Sequence, residues 1–183
     1  GFDRSELREH SEAIQSFQQA MMMSRKNQSL QSDILKRMGV EYFFLKKYER
    51  SDKAFTQALE INPNDYIALA NYGFYLAQRG DRLEDAKKMT AKANKLLPNQ
   101  ASFQDAHACV LYKMKDYKNA RDWMSKALQN CVYKSADILE HFVDILFQLD
   151  ETDEAIRYWQ LAMDKGSRSK NLEKKITDRQ LYE

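Results

Sequence analysis

Apolar positions along the chain follow two superposed rhythms. Within short segments they return every three to four residues, the spacing of one helix face. Over longer distances the same set of residue types returns about every 34 positions, the period of a helix–turn–helix repeat. The pattern is clearest in residues 32–65, SDILKRMGVEYFFLKKYERSDKAFTQALEINPND. Leu35, Met38, Gly39 and Tyr42 mark a first helix; Tyr48, Ser51, Phe55 and Ala58 mark a second. The small residues let the two helices approach closely and the large ones fill the space between them. Pro63 closes the unit, because proline lacks an N–H and bars the helical conformation before it.

The rest of the chain copies this unit. Residues 66–100 repeat it with Leu69, Tyr72, Gly73, Leu76, Leu83, Ala86, Ala93 and Pro98. One residue is inserted in the turn Arg79–Arg82, where Gly80 suits a helix C-terminus. Residues 101–134 carry His107, Ala108, Leu111, Tyr117, Ala120, Met124 and Ala127, and residues 135–167 carry Leu139, Phe142, Val143, Leu146, Ala155, Trp159 and Ala162. Neither has the closing proline, and Gly166 is expected to end the last helix. Residues 1–27 read as a partial repeat: Ala13, Phe17 and Ala20 match Ser51, Phe55 and Ala58, so 10–24 is expected to be a second helix. Its first helix would start before Gly1, with Phe2–Arg8 as its remainder, and 25–31 would be a long connection. The run Met21–Met23 is expected to pack in the core. An unpaired helix leaves Ala13, Ile14, Phe17 and Met21 partly bare, so self-association at this end is expected. Residues 168–182 alternate Leu172, Ile176 and Leu181 with charges and read as a final solvating helix, which repeat arrays need to cover their last stacking face.

The repeat resembles the tetratricopeptide repeat over nearly the whole chain. The resemblance implies an all-α fold, a right-handed α-α superhelix with a C-terminal capping helix, forming a single domain. The segments LANYGFYLAQRGDRLEDAKKM, DAHACVLYKMKDYKNARDWMSKAL and EHFVDILFQLDETDEAIRYWQLA are further similar to the C-terminal arrays of bacterial cell-envelope tetratricopeptide proteins. That implies a bacterial envelope or periplasmic setting. His107 and Val143 depart from the pattern, which favours an aromatic or leucine and a glycine there.

On the family's geometry the first helix of each pair lines a concave groove. The groove positions are Lys36, Arg37 and Phe44 in one unit, Asn71 and Phe74 in the next, Asp105, Tyr112 and Lys113 in the next, and Glu140, His141, Asp144 and Phe147 in the last. Aromatics with polar anchors among them suit a peptide, and the Asn71 amide can both donate to and accept from a peptide backbone. Charge along the wall runs from Lys36 and Arg37 to Glu140 and Asp144. The implied function is a non-catalytic scaffold that holds an extended peptide or a helix in the groove. The alternative is a structural assembly subunit that uses its ends. Val40 stands where the family's carboxylate clamp needs asparagine, so that specificity is not expected.

Composition narrows the remaining classes. Five glycines and two prolines are too few for a turn-rich β protein. A net charge of +2 lacks the basic bias of a general nucleic-acid binder, so no nucleic acid is expected. No apolar run reaches the ~18 residues of a membrane span. Cys109 and Cys131 have no paired spacing and read as separate thiols. No phosphate loop, G-x-S-x-G or HExxH motif appears, so no catalysis and no cofactor is expected. His141 with Glu140 and Asp144 is the best site-like cluster, but a metal needs further ligands that the sequence does not show.

Overall fold

A computed structural model describes residues 4–24, 26–132 and 136–164, which form nine α-helices and no strand. They are α1 Arg4–Met23, α2 Gln28–Phe44, α3 Tyr48–Ile61, α4 Tyr66–Arg79, α5 Leu83–Leu96, α6 Ala101–Lys113, α7 Tyr117–Asn130, α8 Ala136–Gln148 and α9 Thr152–Asp164. Four hairpins, α2/α3, α4/α5, α6/α7 and α8/α9, stack in chain order, and α1 packs on α2. The arrangement is an all-α repeat superhelix. The expected cap helix at 168–182 and Gly166 lie outside the described residues.

Each hairpin turns by the same backbone device. Lys46, Gly80, Lys115 and Asp150 adopt positive φ. The next N–H then reaches back five residues: Lys47 donates to the Tyr42 carbonyl at 2.8 Å, Asp81 to Leu76 at 3.0 Å, Asp116 to Leu111 at 2.9 Å and Glu151 to Leu146 at 3.0 Å. These bonds satisfy helix-end carbonyls that would otherwise lack partners. The extra residue of the second turn is absorbed by a further positive φ, at Arg82. Its guanidinium is held by Asp52 at 3.0 Å and the Tyr72 hydroxyl at 2.7 Å.

The two glycines of the repeat mark close helix approaches. A Cβ on Gly39 would stand 2.7 Å from Phe55 ring carbons, and one on Gly73 would stand 2.6 Å from Thr90 Cγ2 and 2.9 Å from the Ala86 carbonyl. Phe55, Met124 and Trp159 are fully buried at equivalent places in three second helices. In α5 that place is taken by Thr90, a much smaller side chain. His107 fills the space: its Nδ1 lies 2.7 Å from Thr90 Oγ1, and its ring meets Trp123 edge-on at 4.7 Å. The departure at His107 is thus matched to a small residue one repeat earlier.

This burial sets an acid limit. Loss of water, with Lys87 nearby, lowers the His107 pKa to about 4. The unfolded chain takes up the proton first, near pH 6.5. The contribution of the neutral imidazole is therefore complete above that pH and is lost as pH falls toward 4. The stability of wild type relative to His107→Leu is expected to fall by about 2–3 kcal/mol between pH 7 and pH 4. Denaturant melts of both proteins at several pH values measure this. A difference that stays flat with pH would show that water reaches the ring.

Three sequence expectations are corrected. Of the expected remainder Phe2–Arg8, residues 4–8 are not part of a separate first helix, because α1 runs unbroken from Arg4; Phe2 and Asp3 lie outside the described residues. Nothing in RSELREHSEAIQSF breaks a helix, and the Arg8–Glu12 pair at 2.7 Å supports the continuous turn. Residues 28–31 are not part of the connection. Asn27 caps α2 by accepting from the Leu30 N–H at 3.0 Å, which starts the helix four residues early. Met22 and Met23 are not core residues, being 69% and 90% exposed. Of the three methionines Met21 is the half-buried one.

Candidate functional site

The wall made by α2, α4, α6 and α8 carries two open clefts. The first holds about 360 Å³ between Phe17 of α1, Lys36, Arg37 and Val40 of α2, and Ile67 and Asn71 of α4. The second holds about 270 Å³ between Gln78, Cys109, Tyr112 and Lys113 on one side and Glu140, His141 and Asp144 on the other. An aromatic bridge separates them. Phe43 stacks on Tyr75 at 4.1 Å, Phe44 and Phe74 meet Tyr75 at 6.1 and 5.7 Å, and Phe74 reaches His141 at 6.2 Å.

Eight of the twelve expected groove residues line a cleft, namely Lys36, Arg37, Asn71, Tyr112, Lys113, Glu140, His141 and Asp144. Phe44 and Phe74 belong to the bridge, half-buried by their neighbours. Phe147 leans on Trp159 at 6.2 Å, and Tyr112 also packs on Tyr117 at 5.5 Å. Lys36 lines the first cleft with its charge already paired. Its ammonium sits 2.7 Å from Asp33 and 2.8 Å from Asp65, and Asp65 caps α4 by accepting from Ile67 and Ala68. Burial works against that charge, and the two carboxylates outweigh it and raise the pKa. The positive end of the wall is therefore carried by exposed Arg37.

Several wall residues were not marked by sequence reasoning. His10 of α1 stacks on Phe44 at 5.0 Å and reaches Glu41 at 2.5 Å. No repeat register points to it, because α1 is not half of a hairpin among the described residues. Tyr75 joins the bridge, and burial, with Glu41 adding to it, pushes its pKa up to about 12. Asp105 turns away from an open wall position toward α8. Its Oδ1 lies 2.8 Å from His141 Nδ1 and 3.5 Å from Cys109 Sγ. Burial pushes the Cys109 thiol up to about 11. Burial disfavours the His141 imidazolium, and the Cys109 sulfur and the Asp105 carboxylate outweigh it, holding the pKa well above the usual histidine value. Asp105 carries that effect, since a thiol titrating near 11 is uncharged at neutral pH. Cys109 and Cys131 are both free, the first buried in α6 and the second at the end of α7.

Profiles described as tetratricopeptide repeat match residues 32–65 and 54–93. Residues 32–93 are thus matched as tetratricopeptide repeats. No curated protein sequence matches the chain. Solved tetratricopeptide structures share its fold. One is PilF of Pseudomonas aeruginosa, 20% identical, with 96% of this chain and 84% of that one covered and a TM-score of 0.69. A second is PilW, described as a widely conserved type IV pilus biogenesis factor: 18% identity, 86% and 70% covered, TM-score 0.75. A third is a thermophilic tetratricopeptide protein of Thermus thermophilus: 15% identity, 92% and 89% covered, TM-score 0.74. At these identities the likeness speaks to the fold. Tetratricopeptide domains bind protein partners and are generally non-catalytic scaffolds. Among the described residues no helix is long and apolar enough to cross a membrane.

Proposed function

We infer that this array binds an extended peptide segment of a partner protein along its concave wall, without catalysis. The observation that carries this is the pairing of two mixed polar and apolar clefts with an aromatic bridge between them on one continuous face. Such a wall offers side-chain pockets at intervals, with Asn71 placed to hold a peptide bond. The helices set the wall in advance, so ordering costs fall on the peptide alone. Peptides selected from a random library on the purified chain test this. Asn71→Ala and Tyr112→Ala are each expected to weaken the selected peptides by about tenfold or more, as central contacts do. Bound peptide should slow hydrogen exchange in α2, α4, α6 and α8.

One observation favours a second reading, in which the array joins other subunits by its end. Met22 and Met23 are exposed beside an open cleft of about 750 Å³ lined by Met21, Leu35, Met38 and Ile61. Exchange protection confined to α1 and α3, or self-association in sedimentation that Met22→Glu reduces, would replace the groove reading with this one.

A further inference from the structure

We propose that Asp105, Cys109 and His141 form a binding site for Zn²⁺ at the floor of the second cleft, whether or not the groove holds a peptide. Asp105 and Cys109 stand one helical turn apart on α6, so their side chains share a face. His141 comes from α8, the neighbouring first helix. One ligand atom from each lies within 4.8 Å of the other two. A tetrahedral zinc with ordinary bond lengths holds a sulfur and an oxygen ligand about 3.5 Å apart, and a nitrogen and an oxygen about 3.3 Å apart. The Cys109 Sγ to Asp105 Oδ1 distance is already 3.5 Å. The His141 Nδ1 to Asp105 Oδ1 distance is 2.8 Å, so admitting the ion asks this pair to separate by only about 0.5 Å.

The donor set selects the metal. A thiolate and an imidazole are poor ligands for Mg²⁺ and Ca²⁺, whereas thiolate, imidazole and carboxylate together suit Zn²⁺. Two anionic ligands balance its charge once the thiol proton leaves on binding. Cys109 and His141 line a cleft of about 270 Å³, so water can take the fourth position. Lys113 lines the same cleft and opposes a cation there. Three protein ligands with one position open to solvent is the layout that lets a zinc ion meet an outside group.

Cobalt titration of the untagged, chelator-stripped chain tests this. One Co²⁺ per chain is expected, with a sulfur-to-cobalt charge-transfer band and the visible bands of a tetrahedral site, and stoichiometric Zn²⁺ should erase both. Cys109→Ser is expected to lose the charge-transfer band, and Cys131→Ser to keep it. Asp105→Asn keeps the shape of its side chain, which protects the fold. It should weaken zinc by more than the about 10–100-fold that loss of a hydrogen-bond partner of a metal ligand costs. Far-ultraviolet circular dichroism checks that each variant stays helical. Cobalt uptake with no charge-transfer band, a band that follows Cys131 instead, or unchanged zinc affinity in Asp105→Asn would each overturn the site.

Discussion

Phe55→Ala is expected to cost about 3–5 kcal/mol, the range for deleting a fully buried aromatic side chain. The Phe55 ring has no exposed surface. It stacks on Tyr72 of the next hairpin at 5.2 Å with planes 13° apart, and lies 5.9 Å from Tyr75. It also presses on the backbone of α2 at Gly39, where even a methyl group would come within 2.7 Å of it. One side chain thus joins its own hairpin to the following one, and its loss leaves a cavity that Gly39 has no side chain to fill. In a repeat array that break weakens both a unit and an interface. Gly39→Ala alone is expected to destabilise, and in the Phe55→Ala background to cost less or to stabilise, because the two positions share one space. Urea denaturation of the four proteins measures the coupling. Strictly additive losses would show that Phe55 does not rest on Gly39.

The hairpins are legible in the sequence because the residues that make them are short-range and periodic. Small residues at Gly39, Gly73 and Ala108, each followed one turn later by a large one (Tyr42, Leu76, Leu111), recur about every 34 positions. The same arithmetic fails where a feature has no repeat to copy. α1 has no counterpart for its first ten residues, so its length was hidden. Asn27 starts α2 early through a local cap that lies outside the repeat pattern. The cluster at Asp105 was missed for a related reason. Spacing along one helix links His141 to Asp144, and that link is what sequence reading takes first. The link to Cys109 crosses between neighbouring first helices, one repeat apart, and depends on how closely α6 and α8 approach. Lys36 shows the opposite limit: its groove position was legible, but not the two carboxylates that occupy its charge.

Gly73→Leu carries the second large expected effect, about 1–3 kcal/mol from overpacking. At about 2–4 °C per kcal/mol for a chain of this size, the melting temperature should fall by roughly 2–12 °C. Two atoms block a side chain at this site, and neither yields easily. The Ala86 carbonyl belongs to the backbone of α5. Thr90 Cγ2 is fixed because the hydroxyl on the same carbon bonds to the Ala86 carbonyl at 2.9 Å and to His107 at 2.7 Å. Turning Thr90 away would release His107, which is 95% removed from solvent by its 5% exposure. Leucine must therefore push α4 and α5 apart. Gly73→Ala separates packing from backbone propensity, since alanine in an open helix interior would stabilise by roughly 0.5–1 kcal/mol. Destabilisation by alanine as well is the expected result. Val143 occupies the matching place in the last hairpin and is fully buried in one core cluster with Trp159. A melting temperature that Gly73→Ala raises and Gly73→Leu leaves unchanged would mean that α4 and α5 do not touch at this residue, and the register of the repeat would have to be shifted.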